Sequence, residues 1–399
     1  MIQRELQKRI LELLRVNAAV VMTGPRQVGK TTLALAISSV LNAVYRDLEN
    51  PRELEQVRDL ELLVSQYPGR LIILDEVQRA PEIFAPLRGI IDQRRRQGLR
   101  SGQFLILGSA SLELLGQTSE SLAGRVSYAE MSGLNLLECQ TAKEPEISAG
   151  ELWLRGGFPE SHLIRDQGLS MQWRRDLIRT YLEREAPQFG FRVPAETLRR
   201  FWTMLAHHQG GLHNATTLAK GLGVSSQSVA RYLDIMVDLL LVRRLSPWYG
   251  NVGKRLVKSP RIYIRDSGLL HTLLDIHSLD NLLGHPVAGG SWEGFVLENL
   301  VDENSVHQYR PYFYRTQRGA EIDLVLVRGG IPEIAVEVKR ASNPKAGKGY
   351  HIGCDDLGIE HRYVVYPGEK SYRLPGEVWT TSLPELINTL RTRRGMSFA

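Results

Sequence analysis

The chain has 399 residues, which is enough for two or three domains that each bury a core of their own. Hydrophobic residues make up 43% and charged residues 24%, a globular composition that argues against a disordered or fibrous chain. No apolar run approaches the ~18 residues of a membrane span, and no signal peptide is visible. The two cysteines, Cys139 and Cys354, cannot form a disulfide framework, so we expect a reducing cytoplasm.

The net charge of +6 is unevenly distributed along the chain. Residues 1–150 carry 18 basic and 18 acidic side chains, residues 151–275 carry 18 and 11, and residues 276–399 carry 14 and 15. The basic excess therefore lies in the middle third, where it indicates either a contact with a polyanion or an ordinary solvated surface.

Apolar runs alternate with helical stretches in the first third of the chain. Strands are predicted at 18–23, 43–50, 71–76 and 104–111, with helices between them at 30–41, 54–64 and 84–96. This alternation predicts an α/β fold in which helices cover a parallel sheet.

The rhythm changes after this region. Residues 131–150 hold Gly, Pro and Ser, so we expect a domain boundary there. A helix-rich stretch that includes 173–185 follows to about residue 240. Strands return after Gly284, at 312–316, 321–327, 333–338 and 362–367.

A phosphate-binding pattern precedes the first predicted helix. Residues 24–31 read G-x-x-x-x-G-K-T, and the glycines let successive backbone N–H groups face a phosphate at the positive end of that helix. Lys30 would reach the outer phosphates, and the Thr31 hydroxyl would coordinate Mg²⁺. The expected nucleotide-binding residues are Gly24, Pro25, Arg26, Gln27, Val28, Gly29, Lys30, Thr31 and Thr32.

The strand at 71–74 ends in two carboxylates that complement this loop. Asp75 is expected at the metal and Glu76 beside the attacking water, so the pair predicts ATP hydrolysis. The next strand would place Ser109 near that water. Further along, Arg125 could reach a neighbouring subunit's nucleotide as an arginine finger, or it could form a surface salt bridge.

These segments resemble the prokaryotic AAA-type ATPases that carry a DUF4143 C-terminal region. The similar segments are, in chain order, GPRQVGKTT, LIILDEVQRAP, FLILGSASLELL, SLAGRV, FPESHL and IRDSGLL. The resemblance implies a nucleotide-hydrolysing P-loop NTPase core of the AAA+ or RecA-like kind. Ser109 departs from the pattern, because AAA proteins often place Asn or Thr there.

Residues 197–265 predict a winged helix-turn-helix. Three helices, the last two capped by Asn214 and Ser225, precede a wing between Arg243 and Arg265 that has seven basic residues and no acidic one. Such a unit favours duplex or branched DNA held through phosphates, although winged helices also bind proteins. The expected DNA contacts are Ser226, Gln227, Ser228, Arg231, Arg243, Arg244, Lys254, Arg255 and Lys258.

Acidic residues on two predicted C-terminal strands form a candidate metal site. Asp323 is followed fourteen residues later by Glu337 and then by Lys339, and Glu298 on a preceding helix could join them. The carboxylates would hold Mg²⁺, and Lys339 would steady the water that attacks a phosphodiester. The pattern resembles the PD-(D/E)xK nuclease superfamily, which has a restriction-endonuclease-like α/β fold. It leaves open an active nuclease, a degenerate fold retained for DNA binding, and an unrelated sheet.

The sequence thus predicts an ATPase core at 1–145, a helical lid at 146–194, a winged helix at 195–280 and a nuclease-like domain at 281–399. The predicted function is an ATP- and Mg²⁺-dependent enzyme that binds DNA and remodels or cuts it, acting as a homo-oligomer away from membranes. The alternative is a nucleotide-gated adaptor whose winged helix binds protein and whose C-terminal domain is inert.

Overall fold

The computed structural model describes residues 2–109, 122–142, 146–189, 193–250, 256–302 and 309–395. The chain divides into two compact units, Met1–Leu134 with Asp238–Leu240 and Asn135–Val237 with Leu241–Ala399. The main division falls within the stretch where the sequence predicts a boundary. Within the part of the chain that the structure describes, no helix is both long enough and apolar enough to cross a membrane.

The first unit is built on a five-stranded parallel sheet, which confirms the predicted α/β core. Its strands are β1 Ala19–Gly24, β2 Val44–Asp47, β3 Ile72–Asp75, β4 Phe104–Ser109 and β5 Val126–Glu130. They lie in the order β2-β3-β4-β1-β5. Because β4 pairs with both β1 and β3 in parallel, the carboxyl ends of these three strands meet at one edge of the sheet.

Helices pack on this sheet. They are α1 Leu6–Val16, α2 Lys30–Leu41, α3 Pro51–Arg58, α4 Leu60–Gln66 and α5 Phe84–Arg96. The predicted bounds of α2 and α5 are confirmed. All six residues of β1 are buried, as a parallel strand with both faces covered requires.

The second unit begins with a helical region. Its α-helices are α6 Leu136–Thr141, α7 Ala149–Arg155, α8 Pro159–Leu163, α9 Gln167–Thr180, α10 Ala195–His207, α11 Ala215–Leu222, α12 Ser226–Asp238, α13 Ser267–Leu273, α14 Leu279–Gly284 and α15 Ala288–Val301. The helix predicted over 173–185 is not uniform, because α9 ends at Thr180 and one π-helical turn, Tyr181–Glu185, follows it. The predicted caps are confirmed: Asn214 accepts a hydrogen bond from the backbone of Thr217, and Ser225 accepts one from the backbone of Ser228.

A two-stranded hairpin follows α12. It consists of β6 Val242–Leu245 and β7 Arg261–Ile264, which pair antiparallel with Leu245 opposite Arg261. Helices α10, α11 and α12 and this hairpin occur in the chain order that the sequence predicts.

A six-stranded sheet forms the C-terminal part of the second unit. Its strands are β8 Arg310–Arg315, β9 Glu321–Arg328, β10 Ile331–Val338, β11 His361–Val365, β12 Tyr372–Leu374 and β13 Val378–Thr381. They lie in the order β12-β13-β11-β10-β9-β8, accompanied by α16 Lys348–Leu357 and α17 Leu383–Gly395. Strands β9 and β10 are antiparallel with Leu324 opposite Val336, which brings the carboxylates of Asp323 and Glu337 to the same end of this pair.

Candidate functional site

The predicted phosphate loop joins β1 to α2. Gly29 precedes α2 with a φ of 98°, a left-handed conformation that favours glycine. At Gly24 a Cβ would lie 2.4 Å from the carbonyl oxygen of Met131, so a larger side chain would clash with backbone. One glycine of the pattern is therefore required by its conformation and the other by close packing.

Lys30 is buried in the first turn of α2. Its ammonium donates hydrogen bonds to the backbone carbonyls of Gly24 at 3.0 Å and Pro25 at 2.9 Å. The loop thus folds around a positive charge at the positive end of a helix, which is an environment suited to a phosphate.

Asp75 joins the loop to the end of β3. The Thr31 hydroxyl donates a hydrogen bond to Asp75 Oδ2 at 2.7 Å, although the two residues are 44 positions apart. The Tyr45 hydroxyl donates to the same oxygen at 2.8 Å. Burial and the neighbouring Asp75 charge raise the pKa of Tyr45, so Tyr45 stays a neutral donor.

Glu76 follows Asp75 in a left-handed conformation with a φ of 54°. A non-glycine residue in this region carries a strain of about 1–3 kcal/mol. Its carboxylate accepts a hydrogen bond from the side chain of Gln78. Burial raises the pKa of Glu76, while the Lys30 charge and the Gln78 hydrogen bond oppose that rise.

Ser109 ends β4 opposite Gly24 of the neighbouring strand. The backbone position is the one predicted, between the strands that carry the loop and Asp75. Its side chain lies outside the described residues, so the water-orienting role stays a prediction.

Arg125 lies at the amino end of β1, opposite to the end that carries the phosphate loop. Its carbonyl accepts a hydrogen bond from Ala19, the first residue of β1, whereas the phosphate loop follows the last residue of that strand. Its guanidinium forms two hydrogen bonds with Asp92, at 2.7 and 2.8 Å. The predicted salt bridge is therefore present, and Arg125 is remote from the phosphate loop of its own subunit.

In the C-terminal sheet, three of the four predicted site residues come together. Asp323 accepts a hydrogen bond from the backbone of Val338 at 3.0 Å, and Lys339 pairs with Glu337 at 2.6 Å. Burial, followed by the charge of Asp323, raises the pKa of Glu337. These three residues therefore lie close together, while their role as a site stays a prediction.

Glu298 does not join them, and its expected place as a metal ligand is wrong. Its carboxylate pairs with Arg243 at 2.8 Å and with Arg265 at 3.0 Å. The acid that faces Asp323 from α15 is Glu293, whose pKa is raised by burial and then by the charge of Asp323. Glu293 and Glu298 are five residues apart, which is about 140° around a helix axis, so they face different neighbours.

Arg261 of β7 contacts three carboxylates, one of which is Asp323. Its guanidinium contacts Glu293 at 2.7 Å, Asp323 at 3.2 Å and Glu321 as well. Among the described residues, no group of three or more acidic, histidine or cysteine side chains is arranged to hold a metal ion. The predicted Mg²⁺ site formed by Glu298, Asp323 and Glu337 is therefore absent from this arrangement.

The predicted DNA contacts have different environments. Ser226, Gln227 and Arg231 lie exposed on α12, as expected, and Ser228 is half-buried. Among the hairpin residues, Arg243 is held by Glu298, Arg244 pairs with Asp234 at 2.5 Å, and Lys258 is exposed. Lys254 and Arg255 lie outside the described residues.

Family comparisons agree with this architecture. An AAA domain model matches residues 16–140, a domain of unknown function (DUF8612) matches 148–280, and a second one (DUF4143) matches 288–386. The Mycobacterium tuberculosis protein Rv2008c and the Mycobacterium bovis protein Mb2031c are each 41% identical over 387 residues, which is 97% of this chain and 85% of theirs. The chain belongs to the family of AAA-domain P-loop ATPases with a DUF4143 region. The resemblance to AAA-type ATPases with a DUF4143 region is confirmed, whereas the comparisons do not show the PD-(D/E)xK resemblance.

Solved structures similar to this AAA-domain ATPase include a Walker-type ATPase of Pyrococcus abyssi, with 14% identity and a TM-score of 0.49 over 69% of this chain and 96% of the other. The RuvB Holliday junction branch migration motor of Thermotoga maritima has 20% identity and a TM-score of 0.32 over 61% and 90%. Neither similarity carries a functional argument. The DUF8612 match spans both regions that the sequence divides into a lid and a winged helix.

The residues of this AAA-domain ATPase fit a magnesium-bound nucleotide. Thr31 and Asp75 supply the hard oxygen atoms that Mg²⁺ prefers, and Lys30 and the loop backbone supply donors for phosphates. The carboxylates of the DUF4143 region do not fit Mg²⁺ in the same way, because Arg261 already contacts Asp323 and Lys339 already contacts Glu337.

Sequence reasoning missed several residues of this AAA-domain ATPase. Tyr45 lies on β2, whose Asp47 pairs with Asp75, so its position next to Asp75 depends on the strand order. Arg4, which precedes α1, donates hydrogen bonds to the carbonyls of Val28 at 2.8 Å and Ser132 at 2.7 Å, and it thereby supports the loop. Neither contact leaves a signal in the sequence, because each joins segments that are distant along the chain.

Proposed function

We propose that this AAA-domain ATPase hydrolyses ATP with Mg²⁺ and uses the reaction to act on DNA. The observation that carries the first half is the hydrogen bond between Thr31 and Asp75, directly beside Glu76. It brings the two expected metal-binding oxygens and the expected base to one edge of the sheet.

Each residue of this site has a distinct role in hydrolysis. A bound Mg²⁺ would neutralise charge on the phosphates. Lys30 would bind the outer phosphates, Thr31 and Asp75 would hold the metal, and Glu76 would orient the attacking water and accept its proton. The pKa of Glu76, raised by burial, makes it a stronger base than an exposed glutamate.

The position of Arg125 supports action between subunits. It lies at the opposite edge of the sheet from its own phosphate loop. An arginine finger at this position therefore acts on the nucleotide of a neighbouring copy, and we propose a homo-oligomer on this ground.

The exposed face of α12 is the proposed DNA contact. Helices α10 to α12 and the β6–β7 hairpin have the element order of a winged helix, in which the third helix enters a groove. Ser226, Gln227 and Arg231 are exposed near the start of α12. Lys258 adds an exposed cation on the hairpin connection, where phosphates would be held.

One observation favours the adaptor alternative. Four of the seven hairpin cations form ion pairs within the chain, namely Arg243, Arg244, Arg261 and Arg265. These pairs reduce the positive charge available to DNA, so a protein ligand for the same face is the second candidate.

The ATPase rate measured with single-stranded, duplex, forked and four-way DNA separates the two functions. We expect at least one DNA to stimulate turnover. Replacement of Arg231 and Lys258 by alanine should weaken DNA binding and reduce its salt slope by about 0.9 for each phosphate that the protein no longer neutralises. Arg179→Ala, an exposed arginine on α9, is the matched control and should leave both unchanged.

Turnover that none of these DNAs changes, together with an unchanged salt slope in the double variant, would contradict DNA action. That result would support the adaptor.

A further inference from the structure

The carboxylates between α15 and the C-terminal sheet are gathered around a guanidinium. Glu293 of α15 and both Glu321 and Asp323 of β9 contact Arg261. The Arg261 side chain is only 7% exposed and that of Asp323 12%, so the contact between these two is largely shielded from solvent.

Arg261 is fixed from several directions. Its backbone pairs with Leu245 across the hairpin, and its guanidinium lies over the ring of Phe313 at 5.2 Å. A planar guanidinium can bridge several carboxylates at once, which a compact ammonium cannot do as well. The arrangement therefore presents a tethered cation to the acids at a position set by β7.

Lys339 occupies the remaining acid. It pairs with Glu337 at 2.6 Å, so each of the four acids, Glu293, Glu321, Asp323 and Glu337, contacts at least one cation of the chain itself. A divalent metal entering here would have to displace Arg261 from Asp323, and the displaced guanidinium would then need other partners in a buried environment. This competition disfavours the metal.

We infer that Arg261 is the resident cation of this cluster and excludes divalent metal from Asp323 and Glu337. With Arg261 in this position, Asp323 is already engaged by a cation of the chain and is not available to a divalent metal. This conclusion concerns the C-terminal cluster alone and does not rest on ATP hydrolysis or DNA binding.

Binding of Mn²⁺ to the full chain without nucleotide tests the inference, with electron paramagnetic resonance as the readout of free Mn²⁺. The wild type and Asp323→Asn should bind Mn²⁺ equally, because Asp323 is already engaged. Arg261→Met should gain one Mn²⁺ site, at least tenfold tighter than any site of the wild type, and Arg261→Met with Asp323→Asn should lose it. Arg265→Met, which removes a neighbouring half-buried arginine that pairs with Glu298, should gain no such site.

Two results would overturn the inference. The first is a wild-type Mn²⁺ site that Asp323→Asn removes, which can be measured even if Arg261→Met fails to fold. The second is a folded Arg261→Met chain that binds no more Mn²⁺ than the wild type.

Discussion

The phosphate loop and the C-terminal carboxylate cluster are both short sequence patterns, yet the structure treats them differently. The loop draws its glycines, lysine and threonine from eight consecutive residues. The cluster draws its acids from α15, β9 and β10, and its central cation from β7. A contiguous pattern therefore specifies its own geometry, whereas a dispersed one depends on which distant side chains the fold brings beside it.

The two regions also differ in the partners of their cations. Lys30 donates to backbone carbonyls of its own loop, which incoming phosphates can replace with stronger, charged acceptors. Arg261 already contacts three carboxylates in a buried environment. The contacts of Lys30 suit a ligand that binds reversibly, and those of Arg261 suit a permanent ion-pair network.

The largest expected effect is in the nucleotide site. Glu76→Gln should keep ATP binding and reduce turnover by roughly 10²- to 10⁴-fold, since the proposed base is lost while the loop is intact. Lys30→Ala should lose binding or turnover. A phosphate-release assay measures turnover, and Glu82→Gln, an exposed acid on the following turn, is the control. Full activity in Glu76→Gln would remove Glu76 as the base.

The next effect contrasts two arginines of the same hairpin. Arg261→Met should destabilise the second unit by about 3–5 kcal/mol, because it leaves buried carboxylates uncompensated. Arg244→Met should cost about 1 kcal/mol or less, because its pair with Asp234 is exposed. Urea unfolding followed by tryptophan fluorescence gives both values. Equal costs would show that burial does not distinguish the two pairs.

A smaller effect is expected at Arg125. Arg125→Ala should lower turnover at least about tenfold without changing ATP affinity, as loss of a finger residue does. An excess of Lys30→Ala subunits, which retain Arg125, should restore turnover if the residue acts on a neighbour. Asp92→Asn releases the guanidinium and should preserve activity. A mixture that stays inactive would argue for a role inside one subunit.

The smallest effect concerns pH. Since burial raises the pKa of Glu76, the carboxylate is protonated at a higher pH than an ordinary glutamate, and kcat/KM falls as the pH drops through that pKa. The hydrogen bond from Gln78 lowers the pKa, so Gln78→Leu should move the acid limb to higher pH. Gln93→Leu, an exposed residue of α5, should leave the profile in place. If Gln78→Leu and Gln93→Leu gave the same pH profile, the Gln78 hydrogen bond would not set the pKa that limits turnover.

Local patterns account for what could be predicted from sequence. The bounds of α2 and α5, the caps at Asn214 and Ser225 and the loop at Gly29 all follow from neighbouring residues. The errors lie in the tertiary contacts. Glu298 is an acid on the expected helix, but its carboxylate pairs with Arg243. The pattern of a single sequence does not show whether Glu298 or Glu293 lies next to Asp323. The sequence predicted a basic surface from the hairpin arginines because their acidic partners are distant along the chain.

We propose that the nucleotide site of this ATPase binds a divalent metal, whereas the C-terminal carboxylate cluster holds an arginine in its place. A crystal structure of the full chain with Mn²⁺ and a non-hydrolysable ATP analogue tests both halves through the manganese anomalous signal. We predict a peak between Thr31 and Asp75, and no peak among Glu293, Asp323 and Glu337, where Arg261 remains bound. A peak at Asp323 with Arg261 displaced, or none at Asp75 with the analogue bound, would contradict the claim.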